Sequence, residues 1–408
     1  MEYMSQARGI GGELSGEAED FFVEEITKDG TVLGIGEQIQ RKDEEGGCDF
    51  IHFVLQKKNW NTLQAIKEIA KNLRVSSKRF GYAGNKDRKT VSTQLTSVFK
   101  CEESALLATH VKDIKINGAW RAKKKIEIGD LLGNRFMIRI RNMREAEPSE
   151  RVREIYDELG GVFPNYFGAQ RFGSVRANTH LVGREIVKGN FRSAVMNYLA
   201  YVGEDEEEME EARRARRELA ETNDFKLALK NFPPHLKYER VLLHHLSEHP
   251  NDYVSALRRL PRGLSLLFVH AYQSHLFNEL LGERVGDGLE FEEGDVTCGE
   301  NFRGFPDVEN ARAEKGGKFL VGRTIGYETK PNGRERALLE REEISTENFR
   351  IKSFPQLSSK GATRALRAPL KDFSFEFEES RDAGVFRFSI PAGAYATVAL
   401  REFLDEKI

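Results

Sequence analysis

The sequence is poor in the residues that build cross-links and metal cages. Its 408 residues include three cysteines, Cys48, Cys101 and Cys298, and these lie far apart. They make neither a CxxC pair nor a disulfide framework, which removes the usual zinc spacings and points to a reducing cytoplasm. Long apolar runs are missing too: the longest, near Leu264 to Val269, falls far short of the ~20 residues that a spanning helix needs. Met1 to Gly12 carries no apolar segment of the kind that opens a secretory signal. A soluble cytoplasmic protein, with no membrane partner, is expected. There is no P-loop, no GxGxxG following a strand, no GxSxG elbow and no internal repeat. Gly9-Ile10-Gly11-Gly12 lacks the following helix that a phosphate cradle requires. No nucleotide, flavin or metal cofactor is expected.

What is present is a foldable chain with uneven charge. Hydrophobic residues make up 39%, with 27 phenylalanines, so two or three domains with real cores are expected. The 63 basic and 65 acidic residues nearly cancel, to −2. That balance hides a basic segment from Lys57 to Lys125 and an acidic run from Glu204 to Glu211. A nucleic-acid partner is therefore neither required nor excluded, because one local basic face suffices. Nothing in the pattern specifies an oligomer.

Period-two and helical patterns alternate along the chain. Phe21 to Ile26 reads as a strand, and Ile51, Phe53 and Leu55 alternate with His52, Val54 and Gln56 as in a half-buried strand. Asn61 or Thr62 then caps a helix with Leu63, Ile66, Ile69, Ala70 and Leu73 on one face. Phe136, Ile138 and Ile140 face one way from a further strand. Ser149 to Leu159 is a helix ended by Gly160-Gly161. From Gly282 to Glu340 the chain is rich in glycine and charge, with short strands such as Lys318 to Val321. Strand signals return at Phe373, Phe375 and Phe377 and at Phe386, Phe388 and Ile390, before a final helix near Tyr395 to Leu404. Strands at both ends and helices in the centre predict an α+β protein in which one sheet domain is interrupted by a large insertion.

Several patterns bear on chemistry. Arg79 to Thr90 sets one acid, Asp87, among cations in a loop loosened by Gly81 and Gly84. An ionised, partly desolvated Asp can serve as nucleophile or general base; a solvated basic turn is the competing account. Pro164-Asn165-Tyr166-Phe167-Gly168-Ala169-Gln170-Arg171-Phe172-Gly173 combines aromatics that can stack on a base with amides that can read its edge. An ordinary loop with aromatic anchors fits the same residues. Arg121, Lys123, Lys124 and Lys125, with Arg135, Arg139 and Arg141, could track phosphates or simply protect a sheet edge. His245 and His249 have i,i+4 spacing but no third ligand, and a cap or surface role is preferred over metal. His270 and His275 read as packing around a helix start. The Glu-then-Arg run from Glu204 to Arg217 favours a solvated helix with i,i+4 pairs over an arginine-rich RNA-binding helix.

Taken together, these segments match a family. Gly84-Asn85-Lys86-Asp87 followed by Thr93-Gln94 resembles the G-x-K-D…Q signature of the TruD family of tRNA pseudouridine synthases. Pro164 to Gly173 is similar to its second signature, and Asp20-Phe21 with Val23 and Glu24 to its D-F-x-V-E element. Lys123 to Gly129, Gly133 to Phe136, Ala271 to Asn278 and Pro391 to Thr397 with Arg401-Glu402 resemble further shared stretches. The matches run in order from residue 20 to residue 402.

The resemblance implies isomerisation of uridine to pseudouridine in tRNA, at position 13. It implies a mixed, largely antiparallel sheet catalytic domain of pseudouridine synthase type, in segments 1–188 and 346–408, interrupted by a helix-rich α+β insertion domain over 189–345. Asp87 takes the nucleophile position, Phe167 the stacking surface and Asn165 a hydrogen bond near the base. Lys86, Gln170 and Arg171 are further substrate-binding candidates. No cofactor is implied, since the reaction gains neither atoms nor electrons. Leu14-Ser15-Gly16-Glu17 lacks the basic residue that relatives often carry before D-F-x-V. The cation that keeps Asp87 ionised must then come from Arg171, Arg88 or Lys86, of which Arg171 is preferred. The alternative is a non-catalytic RNA-binding or RNA-chaperone protein on the same fold. A methyltransferase finds no glycine-rich cofactor loop.

Overall fold

A computed structural model describes residues 1–14, 16–173, 175–203, 208–378 and 382–405. Ser15 and most of the acidic run, 204–207, lie outside the described residues. Strands in the first part of the chain are β1 (Glu13–Leu14), β2 (Phe21–Thr27), β3 (Phe50–Lys58), β4 (Phe80–Tyr82), β5 (Val91–Phe99), β6 (Ile114–Ala122), β7 (Leu131–Arg141) and β8 (Val162–Pro164). Those that follow are β9 (Val296–Cys298), β10 (Phe319–Thr324), β11 (Ala362–Ala365), β12 (Arg367–Pro369), β13 (Lys371–Glu378) and β14 (Ala383–Pro391).

The chain divides into two compact units. One comprises Tyr3–Asn165, Glu300–Pro306 and Arg367–Ile408, and the other Met1–Glu2, Tyr166–Gly299 and Asp307–Leu366. The first is the sheet unit. Its strands run β13-β14-β7-β2-β5-β3-β6, with β1 also on β7 and β4 also on β5. Every pair is antiparallel except β2 with β5, so the sheet is mixed and largely antiparallel.

Strand β3, next to the edge strand β6, shows how this sheet is covered. Ile51, Phe53 and Leu55 pack against Ala65, Ile66, Ile69 and Ala70 of the helix Thr62–Asn72. Val54 joins Leu33, Ala83, Leu95, Trp120 and Ile126 on the opposite face. The strand is thus buried on both faces rather than half-buried, because the loop carrying Leu33 and Ile39 closes over the second face. Asn61 is the N-cap of the helix, its side chain accepting from Gln64 N, so Leu63 is turned outward and stands 50% exposed while Ala65 takes its place on the core face. At the other end of the sheet, Pro148–Leu159 ends at Gly160, whose φ of 60° a glycine adopts without strain.

The second unit is mainly helical, with a three-stranded sheet β11-β10-β9. Its core joins Val182 and Ile186 of Thr179–Lys188 to Phe268, Val269, Tyr272 and Leu276 of the 25-residue helix Arg262–Gly286. Gly183 permits this approach: a Cβ there would stand 1.9 Å from the Phe268 carbonyl oxygen. His270 and His275 therefore lie inside a long helix, not at its start.

The helix Glu210–Thr222 departs from the solvated surface element expected of it. Arg216 is fully buried, with Nε donating to Glu208 at 2.8 Å, Nη2 to Glu239 at 3.0 Å and Nη1 to the Leu199 carbonyl at 2.7 Å. Arg217, by contrast, pairs with Glu210 at the surface. Removing one partner of a buried pair leaves an uncompensated charge. Arg216→Met is expected to cost about 3–5 kcal/mol in urea unfolding, and Arg217→Ala less than about 1 kcal/mol.

Candidate active site

The segment 83–90, between β4 and β5, carries Asp87, and its shape is set by side chains from below. Gln94 Nε2 on β5 donates to the Gly84 carbonyl at 3.1 Å, and Thr62 Oγ1 donates to Gln94 Oε1 at 2.7 Å. The same Thr62 oxygen accepts from Lys86 N at 2.9 Å. Lys57 Nζ on β3 and Thr90 Oγ1 both donate to the Asp87 carbonyl, at 3.0 and 2.9 Å. Gly81 is required just upstream, because a Cβ there would lie 2.2 Å from the Ile126 carbonyl oxygen, whereas Gly84 has open space around it.

Between Ala83 and Thr90, Lys86 alone is buried among mostly exposed neighbours. Lys86 turns inward, and its ammonium meets Glu25 Oε2 at 2.8 Å in a pair whose side chains are 5% and 0% exposed. The other oxygen of Glu25 accepts from Leu95 N at 2.9 Å. Asn85, Asp87, Arg88 and Lys89 are exposed. Lys86 therefore anchors the loop, and its charge is spent on Glu25. The sequence offered no sign of Lys57 or Glu25 as part of this site; only the parallel pairing of β2 with β5 brings Glu25 beside Leu95 and Lys86.

Three acids near β2 determine which basic residues stay exposed. Asp20, 3% exposed, accepts from Arg139 Nη1 at 2.9 Å and from Arg141 Nε at 2.8 Å. Glu24 lies across from Arg135 in the β2–β7 register and accepts from its Nε at 2.5 Å. These three arginines, read from the sequence as a phosphate track, are thus engaged within the sheet unit. Arg121, Lys123, Lys124 and Lys125 remain exposed. Their turn adjoins the Asp87 loop, since Gly129 N donates to the Ala83 carbonyl at 2.8 Å.

In the helical unit, Phe167 is held by the long helix. Its N–H donates to Asn278 Oδ1 at 2.8 Å, and Asn278 Nδ2 donates to its carbonyl at 2.9 Å. Phe277 meets the Phe167 ring edge-on at 5.5 Å, and the Arg364 guanidinium lies 4.1 Å from its centroid. Arg364 went unnoticed in the sequence, where it sits in no signature. Arg171 Nε donates to Ser274 Oγ at 3.0 Å, with its guanidinium 5.6 Å from the Phe167 centroid. Gln170 is exposed on the short turn Ala169–Arg171. Asn165 is 5% exposed and belongs, with Lys86 and Asp87, to the sheet unit.

Beside this cluster, His180 lies 4.8 Å from His275, with Phe172 edge-on to both. Burial and the neighbouring His275 hold His180 down to about 4. His245 is 5% exposed and accepts from Arg259 Nε at 3.1 Å. Among the described residues there is no group of three His, Cys, Asp or Glu that could hold a metal ion, and no helix is long and apolar enough to cross a membrane.

The family profile described as tRNA pseudouridine synthase D (TruD) matches residues 1–403. The chain belongs to the tRNA pseudouridine synthase D family. A relative named as such from Methanosarcina mazei is 36% identical, over 98% of this chain and 95% of its own. One from Methanopyrus kandleri is 42% identical over 87% of this chain and 85% of its own. A crystal structure of a protein assigned to tRNA pseudouridine synthase D, from Methanosarcina mazei, superimposes with a TM-score of 0.77 at 35% identity, covering 99% of this chain and 96% of that one. Membership of the TruD family makes this chain one of a family of isomerases.

The buried Glu25–Lys86 pair is open to direct test. Lys86→Met leaves Glu25 charged and unpaired, and is expected to cost about 3–5 kcal/mol. Glu25→Gln/Lys86→Met keeps an acceptor for Leu95 N and should cost clearly less than Lys86→Met alone. A double-mutant cycle in urea unfolding measures the difference.

Proposed function

We propose that the protein converts uridine to pseudouridine in tRNA, at position 13, with Asp87 as the nucleophile. The observation that carries this reading is the exposed Asp87 carboxylate on a loop whose backbone is pegged at Gly84, Lys86 and Asp87, in a chain of the TruD family. Preorganisation of this kind suits a group that must meet a reacting atom within a fraction of an ångström.

The reaction breaks the C1′–N1 bond, turns the uracil while it stays bound and joins C1′ to C5. The proton displaced from C5 is matched by one gained at N1, so atoms and electrons balance without a redox partner. Asp87 can begin it by adding to uracil C6 or by acting at the ribose. Both routes start from the ionised carboxylate. A base within a folded stem must first leave the stack. Phe167, braced by Phe277 and Arg364, is proposed as the surface that receives it, with Asn165 hydrogen-bonding nearby and Gln170 and Arg171 contacting the RNA. Lys86 serves indirectly, through the loop. Residues 189–345 are proposed as the family's insertion domain, and the cytoplasm, where tRNA is modified, as the site of action.

Pseudouridine mapping on unmodified tRNA transcripts tests the activity, its position and the need for any cofactor together. Asp87→Ala and Asp87→Asn are expected to reduce product to background while tRNA still binds; product at the normal rate from either variant would remove Asp87 from this role. Binding should weaken steeply with salt. Replacing Lys123, Lys124 and Lys125 with alanine should flatten the slope of log K against log[salt] by about two, at roughly 0.7–0.9 for each phosphate that is no longer neutralised. An unchanged slope would exclude that turn as the RNA track.

A further inference from the structure

Lys57 poses a problem of charge. It is fully buried, and its ammonium donates to two carbonyl oxygens, Trp60 at 2.5 Å and Asp87 at 3.0 Å. None of the ion pairs among the described residues includes it, whereas its neighbour Lys86 has Glu25. A buried cation without a carboxylate beside it is costly, and a methionine of similar length would fill the space without that cost. The charge therefore has a use outside packing. The acid that feels it is Asp87, whose peptide it holds from below and whose side chain points outward.

We propose that Lys57 is a positioning residue for Asp87: its charged amine grips the Asp87 carbonyl, which fixes that peptide and with it the direction in which the carboxylate leaves the loop. This rests on the reading of Asp87 as nucleophile. Lys86, the neighbouring amine, is committed to Glu25 and reaches the Asp87 peptide only through the chain. Thr90 Oγ1, the second donor to the same carbonyl, fixes the peptide but brings no charge.

The charged groups acting on Lys57 are Lys86 and Asp87 from the loop and, through Lys86, Glu25 from β2. Its register partners are uncharged, Ser92 on β5 and Ile114 on β6. The adjacent Lys58 turns away to Glu19. Burial and the like charge of Lys86 push the Lys57 amine down to about 8, with Asp87 opposing. Below that pH the amine is charged and holds the Asp87 carbonyl with a charge-assisted hydrogen bond; above it the charge is lost and the grip weakens.

The test is the pH dependence of single-turnover pseudouridine formation on a tRNA transcript, with tRNA binding measured in parallel. The wild-type rate should fall as pH rises through about 8. Lys57→Met should lower the rate at pH 7 about a hundredfold, leave tRNA affinity within about twofold and lose the alkaline fall. Lys57→Arg, whose charge persists beyond pH 12, should keep most of the rate and move the fall out of range. A role in packing alone would lower the rate of both variants without changing the shape of the profile. The proposal is overturned by a wild-type profile flat through pH 9, by Lys57→Met within threefold of wild type, or by a fall near pH 8 that persists in either variant. If arginine does not fit the buried site, the wild-type and methionine profiles decide. Asp87→Asn separates the two readings: a fully active Asp87→Asn overturns both, while an inactive one beside a fully active Lys57→Met overturns only this one.

Discussion

Two buried amines beneath one short loop hold the candidate active site in place. The segment 83–90 joins β4 to β5 with little regular hydrogen bonding of its own. Its backbone polar groups are instead met by Gln94, Thr62, Lys57 and its own Thr90, and its one inward charged side chain, Lys86, ends on Glu25. These partners come from β2, β3, β5 and the N-terminus of the helix Thr62–Asn72. The loop can take this shape only when the strand order β2-β5-β3 has formed. Asp87 stands exposed while its neighbour Lys86 is turned in to Glu25 and its own carbonyl is held by Lys57 and Thr90.

The same strand that supplies Glu25 divides the basic residues of the sheet unit into two groups. Asp20 and Glu24 take Arg139, Arg141 and Arg135, while Glu25 takes Lys86. Three acids within six residues thus pair with the three arginines of the strip read as a phosphate track and with Lys86 of the basic segment. What remains exposed is a smaller set, Arg88, Lys89, Arg121 and Lys123 to Lys125, tied to the Asp87 loop through the Gly129–Ala83 hydrogen bond. A basic patch is defined by the cations left over after internal pairing, and only those can exchange counterions with an RNA backbone.

In the helical unit one helix does comparable service. Arg262–Gly286 presents Ser274, Phe277 and Asn278 on successive turns, and these meet Arg171, the Phe167 ring and both backbone groups of Phe167. The likeness of Ala271 to Asn278 to a family stretch thereby acquires a physical reason: it is the bracket for the Pro164 to Gly173 segment. Gly183 serves the same bracket by letting a second helix approach closely.

The sequence by itself determined the period-two strands, the helix capped at Asn61 or Thr62, the stop at Gly160, the α+β class and the family, because each rests on local pattern or on long ordered signatures. It also singled out Asp87 and Phe167. It could not reveal Lys57, Glu25 or Arg364, since each meets its partner across 30 residues or more of chain, Lys57 with Asp87, Glu25 with Lys86 and Arg364 with Phe167. Nor could it separate a solvated arginine from Arg216, which tertiary packing buries among Glu208, Glu239 and two helix-end carbonyls. A charge looks the same in sequence whether it faces water or a carboxylate from a distant strand. Which cations are paired inside the fold and which stay exposed was decided by strand register and helix packing, because burial, not identity, sets what a charge must be paired with.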